Sequence, residues 1–256
     1  MTTPLSIRRL LSTLLLGLNA WICSATVSAE TIRVVTEELP PFNMTLNGEI
    51  TGLSTEVVRA VFDHLGLQAD IQSLPWARAY DVALHGENVL IYSITRTPQR
   101  DPLFKWVGSI APTHWYLFAL SGRPLTLGSL EDAHAYQIAT VKEDVGEQYL
   151  IAHGFAVGRE LQPSYRYELD FEKLKQGHVD LWIANELNAH YLVRQGGDDP
   201  EVVLRRVLAL PDLGGDDGLN MAFGPNTPDA LVERFREGLS AIRANGTYEA
   251  ILRRWM

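Results

Sequence analysis

The segment Ser93-Ile94-Thr95-Arg96-Thr97-Pro98-Gln99-Arg100-Asp101 sets hydroxyls and free backbone amides at the end of an apolar run, then follows them with arginine. These groups make a carboxylate receptor, because a guanidinium is a planar fork that grips a carboxylate through two bonds. The same residues would equally form a capped turn with an exposed arginine. Two other stretches stand out. Glu37-Glu38-Leu39-Pro40-Pro41-Phe42 follows the first apolar run, where two prolines hold acids and an aromatic. Ligands of open α/β folds sit at the carboxyl ends of strands, so this composition suits a pocket rim, or else a solvated turn. Trp76, in Leu74-Pro75-Trp76-Ala77-Arg78-Ala79-Tyr80, opens a helix. Its indole could cover an apolar or cationic ligand, or anchor a core or an interface.

Other chemistry is absent from the sequence. The histidines (His64, His85, His114, His134, His153, His178 and His190) include no H-x-H or H-E-x-x-H pair. There is no G-x-S-x-G elbow, no Walker A loop and no G-x-G-x-x-G after a strand. A lone Cys23 makes no internal disulfide, thiolate zinc site or iron–sulfur cluster. A net charge of -9 argues against a nucleic-acid partner. No cofactor is expected, and the balance favours noncovalent binding.

These residues need elements to position them. Strands are expected at 32–36, 89–95, 115–120, 137–141, 179–184, 202–210 and 219–223. Helices are expected from Ser54 to Gly66, from Asp144 to Gly154, at 170–176, at 186–195, from Thr227-Pro228 to Asn245-Gly246, and from Thr247 to Leu252. Asp144 with Glu147 is spaced as a capping box. Alternating strands and helices imply α/β sheets covered on both faces. Periodicity alone allows one domain or two lobes.

The N-terminus reads as a secretory signal peptide over residues 1–29. Arg8 and Arg9 are its only charges, Leu10 to Leu18 is apolar, and Val27-Ser28-Ala29 puts small residues before a cut after Ala29. Cleavage would shorten the chain from 256 to 227 residues, remove Cys23 and move the net charge to -11.

Taken in order, four stretches resemble the family 3 extracellular solute-binding proteins, the polar-amino-acid receptors of bacterial ABC importers. They are Glu38-Leu39-Pro40-Pro41-Phe42; Gly52-Leu53-Ser54-Thr55-Glu56-Val57; Thr97-Pro98-Gln99-Arg100 with Phe104 and Trp106; and Ile242 to Leu252 with its Asn245-Gly246-Thr247-Tyr248 centre. The resemblance implies an α/β, two-lobed periplasmic-binding-protein-like (type II) fold with two crossover strands. Residues 30–116 plus 225–256 would form one lobe and 117–224 the other. It implies a periplasmic monomer that holds a small-molecule ligand between its lobes and delivers it to an ABC transporter permease in the inner membrane.

Carried over by position, Arg100 would hold a ligand carboxylate with help from Thr95. Trp76 would lie against the ligand, and Glu38 and Phe42 would line the same side. Lys142, Glu143, Asp144 and Val145 stand where the family has a G-[ST]-[ST] helix start, so acids replace hydroxyls. Asn185 stands where amino-acid receptors carry an aspartate for the α-ammonium, and it would also serve as an N-cap. Asp144, with Glu143, could then supply the counter-charge and favour a ligand with a cationic part; the alternative is a ligand that is not an α-amino acid. Two other roles fit the same resemblance: a dehydratase-like enzyme using a cleft carboxylate, and a ligand-sensing module for a separate membrane partner.

Overall fold

A computed structural model describes residues 32–213 and 218–256. The signal peptide expected over residues 1–29 lies outside them. Two five-stranded sheets form the two lobes.

The first sheet begins with β1 (Arg33–Thr36). A small hairpin follows, β2 (Met44–Leu46) with β3 (Glu49–Thr51), then helix α1 (Leu53–His64), β4 (Ile71–Ser73), helix α2 (Trp76–His85), β5 (Val89–Thr95) and β6 (Lys105–Ala111). The second sheet takes β7 (Trp115–Leu120), β8 (Ile138–Val141), helix α3 (Val145–Ala152), β9 (Leu161–Ser164), helix α4 (Tyr167–Gln176), β10 (Leu181–Asn185), helices α5 (Glu186–Gln195) and α6 (Pro200–Val203), and β11 (Leu204–Ala209). The chain then returns to the first lobe as β12 (Leu219–Phe223), α7 (Asp229–Ala244) and α8 (Thr247–Trp255). Strand order is β4-β1-β5-β12-β6 in one sheet and β11-β7-β10-β8-β9 in the other.

The central strands explain the sequence pattern. Every residue of β5 is buried, as expected of a strand covered by helices on both faces. On one side α1 and α7 meet through Val57, Val61, Phe62, Phe235 and Leu239, with Phe62 and Phe235 edge to face at 4.9 Å. In the second lobe, β10 carries the fully buried Trp182, which packs on Phe118 and Phe171.

Three local expectations change. Ser54 does not cap α1; Gly52 takes the cap position, two residues earlier, and the helix begins at Leu53. The carbonyls of Pro41 and Phe42 accept from the Leu53 and Ser54 amides (3.0 and 2.9 Å), so the proline loop does the capping. The strand expected over 202–210 starts only at Leu204, because Asp199 caps the short helix α6 by accepting from the Glu201 amide (3.0 Å). The third change concerns the lobe division. The first crossover runs through Pro112-Thr113-His114 into β7, so Trp115 and Tyr116 already pair with β10 and β11. The second crossover lies ahead of β12, which is antiparallel to both β5 and β6, rather than at residues 224–225. An apolar strand buried on both faces looks the same in sequence whichever sheet receives it.

Candidate functional site

The turn after β5 folds back on itself: the Arg100 amide donates to Thr97 O (3.0 Å) and to Thr97 Oγ1 (3.2 Å). This carries the Arg100 side chain inward, where it is 1% exposed. Its Nη1 donates to Thr95 O (3.3 Å), and its Nε crosses to Gln148 Oε1 of α3 (3.2 Å). The guanidinium lies 5.2 Å from the Trp76 ring and 5.4 Å from the Tyr80 ring, within cation–π range. Its Nη2 is buried without an acceptor. Thr95 is buried and offers its carbonyl to Arg100. Trp76 is also buried, and its Nε1 donates to Glu143 O (2.9 Å), a bond from one lobe to the other.

The second lobe meets this group at the junction of β8 and α3. Glu143 adopts a left-handed backbone (φ 61), unusual for a residue with a side chain. Glu147 supports it, since its Oε1 accepts from the Glu143 amide (2.9 Å) and its Oε2 from Thr140 Oγ1 (2.8 Å). Of the capping box expected here only the Glu147 arm forms, and it reaches the Glu143 amide rather than that of Asp144. Asp144 makes no side-chain cap bond. Its Oδ2 instead accepts from the Tyr167 hydroxyl (2.6 Å) in the buried cleft.

Glu37 completes the cluster. It follows β1 and is buried. Burial pushes its carboxyl well above the usual range and Asp144 adds to this, while Arg100 opposes it. Burial raises Asp144 too, against the pull of Arg100 and Tyr167. The same burial lowers Arg100 from its ordinary value, and Asp144 counters it.

Of the remaining sequence candidates, Glu38 shares a cavity with Glu37 and Trp76, while Phe42 and Asn185 take structural roles. The Glu38 carboxylate is tied by the Thr45 amide (2.9 Å), Thr45 Oγ1 (2.7 Å) and Ser73 Oγ (2.6 Å), so it joins the hairpin to β4. Phe42 is fully buried in an apolar seam that runs from Leu39 and Leu53 to Ala189 and Leu192. Asn185 caps α5, accepting from the Leu187 amide (3.0 Å), and its Nδ2 has no partner. Sequence reasoning passed over Tyr80, Gln148, Tyr167 and Asn188. Asn188 Nδ2 donates to Pro40 O (2.7 Å), again from lobe to lobe. Tyr167 lies one helical turn before the expected start of its helix. Gln148 follows Asp144 by four residues, the spacing that puts two side chains on one helix face.

Two cavities flank the interlobe contact. One, about 390 Å³, is lined by Glu37, Glu38, Ser73, Trp76, Tyr165 and Arg166. The other, about 580 Å³, includes Tyr80, Arg96, Arg100, Gln148, Tyr149 and Ile151. Both fall within the size range of small-molecule sites, about 300–1,000 Å³. Among the described residues, no group of three His, Cys, Asp or Glu side chains is placed to hold a metal ion.

The sequence profile of the bacterial extracellular solute-binding proteins, family 3, matches residues 32–256. No curated protein matches the chain. Among solved structures, a histidine kinase sensor domain with similarity to periplasmic binding proteins has 21% identity and a TM-score of 0.79, covering 89% of this chain and 96% of that one. ArtJ, the arginine-, lysine-, histidine-binding protein of Geobacillus stearothermophilus, has 19% identity and a TM-score of 0.77, covering 89% and 95%. An ancestral arginine-binding protein bound to arginine has 20% identity and a TM-score of 0.76, covering 88% and 97%. At these identities the likeness is one of fold.

Proposed function

The chain belongs to the bacterial extracellular solute-binding proteins, family 3, and we propose that it captures a small polar solute in the periplasm, an amino acid or related carboxylate first among them. One observation carries this reading: a single buried guanidinium, Arg100 of the first lobe, shares its surroundings with Glu37 and with Asp144 of the second. On this reading Arg100 takes the ligand carboxylate, with Thr95 steadying the guanidinium and Trp76 covering the ligand. Asn185 uses its Oδ1 as a helix cap, so a cationic group on the ligand falls to Asp144 and Glu37. Each lobe supplies part of the site, so the ligand favours closure. Binding at carboxylate and ammonium needs no covalent step, which sets this reading ahead of a dehydratase.

The proposed recipient is an ABC permease. A separate membrane sensor is the second reading, favoured by the fold shared with the kinase sensor domain.

Calorimetry against amino acids, polyamines and organic acids tests the proposal. We expect binding of a zwitterionic or cationic amino acid, recovered unchanged from the complex. Arg100→Lys should weaken a carboxylate ligand by about 10- to 100-fold, the equivalent of one charge-assisted bond. Silence across all three panels would sink the proposal, and conversion of the ligand would favour the enzyme. Uptake of the labelled ligand that persists without this protein would favour the sensor.

A further inference from the structure

We infer that the cleft is a proton-sensitive latch: the lobes fasten to one another through direct bonds, and fastening them presses carboxyl groups from both lobes into one buried space that takes up a proton. The inference rests on the lobes opening and closing, as the solute-binding reading requires.

The fastening is visible in three bonds. Trp76 Nε1 donates to Glu143 O (2.9 Å), Arg100 Nε to Gln148 Oε1 (3.2 Å), and Asn188 Nδ2 to Pro40 O (2.7 Å). Gln148 Nε2 also donates to Glu143 O (3.0 Å), which links the first two bonds into one network. In every bond the acceptor is neutral. Arg100, the one buried cation among the described residues, donates to Thr95 O and Gln148 Oε1 rather than to a carboxylate.

Neither buried acid takes part in the fastening: Asp144 Oδ2 accepts from the Tyr167 hydroxyl (2.6 Å) inside its own lobe. Glu37 lies in the field of Asp144 at the start of α3, Glu168 on α4, its neighbour Glu38, and Arg100, and it borders a cavity that Arg166 also lines. Asp144 faces Arg100, Tyr167 on α4 and Glu147 on α3, with Asp170 deeper in the same lobe. Tyr80 of α2 borders Arg100 from the first lobe. Two buried carboxyls therefore share one guanidinium, and removing a second negative charge from water without a partner is expensive. A proton relieves this, and burial holds both carboxyls above their ordinary range.

The sign follows from linkage. With the lobes apart, both carboxyls gain water, Asp144 keeping Tyr167 as its partner within its own lobe, and their values fall back toward the ordinary range near 4. With the lobes together they bind protons more tightly. Closure is then favoured at acid pH and weakens as pH rises toward the raised values. A ligand ammonium seated between the two acids would replace that proton.

Small-angle scattering of the purified protein without any solute, from about pH 5 to about pH 8.5, tests the latch. The radius of gyration should rise with pH in the wild type. It should stay small throughout in the Glu37→Gln/Asp144→Asn double variant, with circular dichroism confirming the fold. Gln148→Ala, which breaks one fastening, should shift the opening to lower pH and serves if the double variant does not fold. A radius that does not change with pH, or an unchanged response in the double variant or in Gln148→Ala, overturns the latch. No ligand enters this experiment. A protein that binds a solute at pH-invariant size therefore loses the latch alone, and one that opens with pH but binds nothing in the panels loses the solute reading alone.

Discussion

Glu37 and Glu38 are adjacent acids with different fates. One is buried at the cleft, and the other is tied by Thr45 and Ser73. Both border one cavity, but in extended chain successive side chains point to opposite sides, so a one-residue difference decides which acid is buried and which is held by the hairpin. Asp170 shows the same sensitivity to surroundings. Burial pushes its carboxyl up to about 8, with Ser164 and Lys173 opposing. In the unfolded chain it titrates near 3.9. The folded form thus keeps a proton that the unfolded form has lost. The stability this supplies is complete below about pH 4 and disappears as pH rises through about 8. We expect the melting temperature to fall across that window, and Asp170→Asn to flatten the fall, as differential scanning calorimetry would show.

At the scale of elements, the loop Leu39 to Phe42 and helix α1 are held together by backbone. Gly52 sits at φ 119, and a Cβ there would lie 2.5 Å from Phe42 O. Only glycine permits both the conformation and the approach. This gives a physical reason for the glycine in Gly52-Leu53-Ser54. Gly52→Ala should destabilise the protein by about 1–3 kcal/mol through backbone strain, measured by urea unfolding. It should also loosen the Leu53 and Ser54 amides from the proline loop. The β8–α3 junction works in the opposite sense. There Glu143 is left-handed despite carrying a side chain, and its carbonyl becomes the acceptor for Trp76 and Gln148.

For the molecule as a whole, the return of the chain matters most. Strand β12 lies between β5 and β6, so the first sheet is incomplete until the last part of the chain is present. A chain truncated before Leu219 should lack a cooperative unfolding transition by circular dichroism, because β5 and β6 lose their shared partner. Truncation after α7, which removes α8 and Met256 but leaves β12 in place, keeps that sheet whole and should keep a transition. The apolar seam through Leu39, Phe42, Ala189 and Leu192 runs beside the crossovers. There Phe42 packs between the lobes and lines neither cavity.

Local chemistry determined much of this protein from sequence. The strands and helices follow from periodicity, the anchoring of Trp76 at a helix start from its neighbours, and the α/β class from alternation. Arg100 was legible as a carboxylate receptor or an exposed turn; its 1% exposure removes the second option. Tertiary structure alone decided which sheet receives β12, which of two adjacent acids is buried, and that Asp144 turns from its helix to Tyr167. It also decided that Gln148 and Asn188 join the lobes. Periodicity records which side of an element is apolar, and that is a property of a few neighbouring residues. Pairings such as Asn188 with Pro40 or Trp76 with Glu143 join residues far apart in the chain, and only the packed lobes bring them within a hydrogen bond.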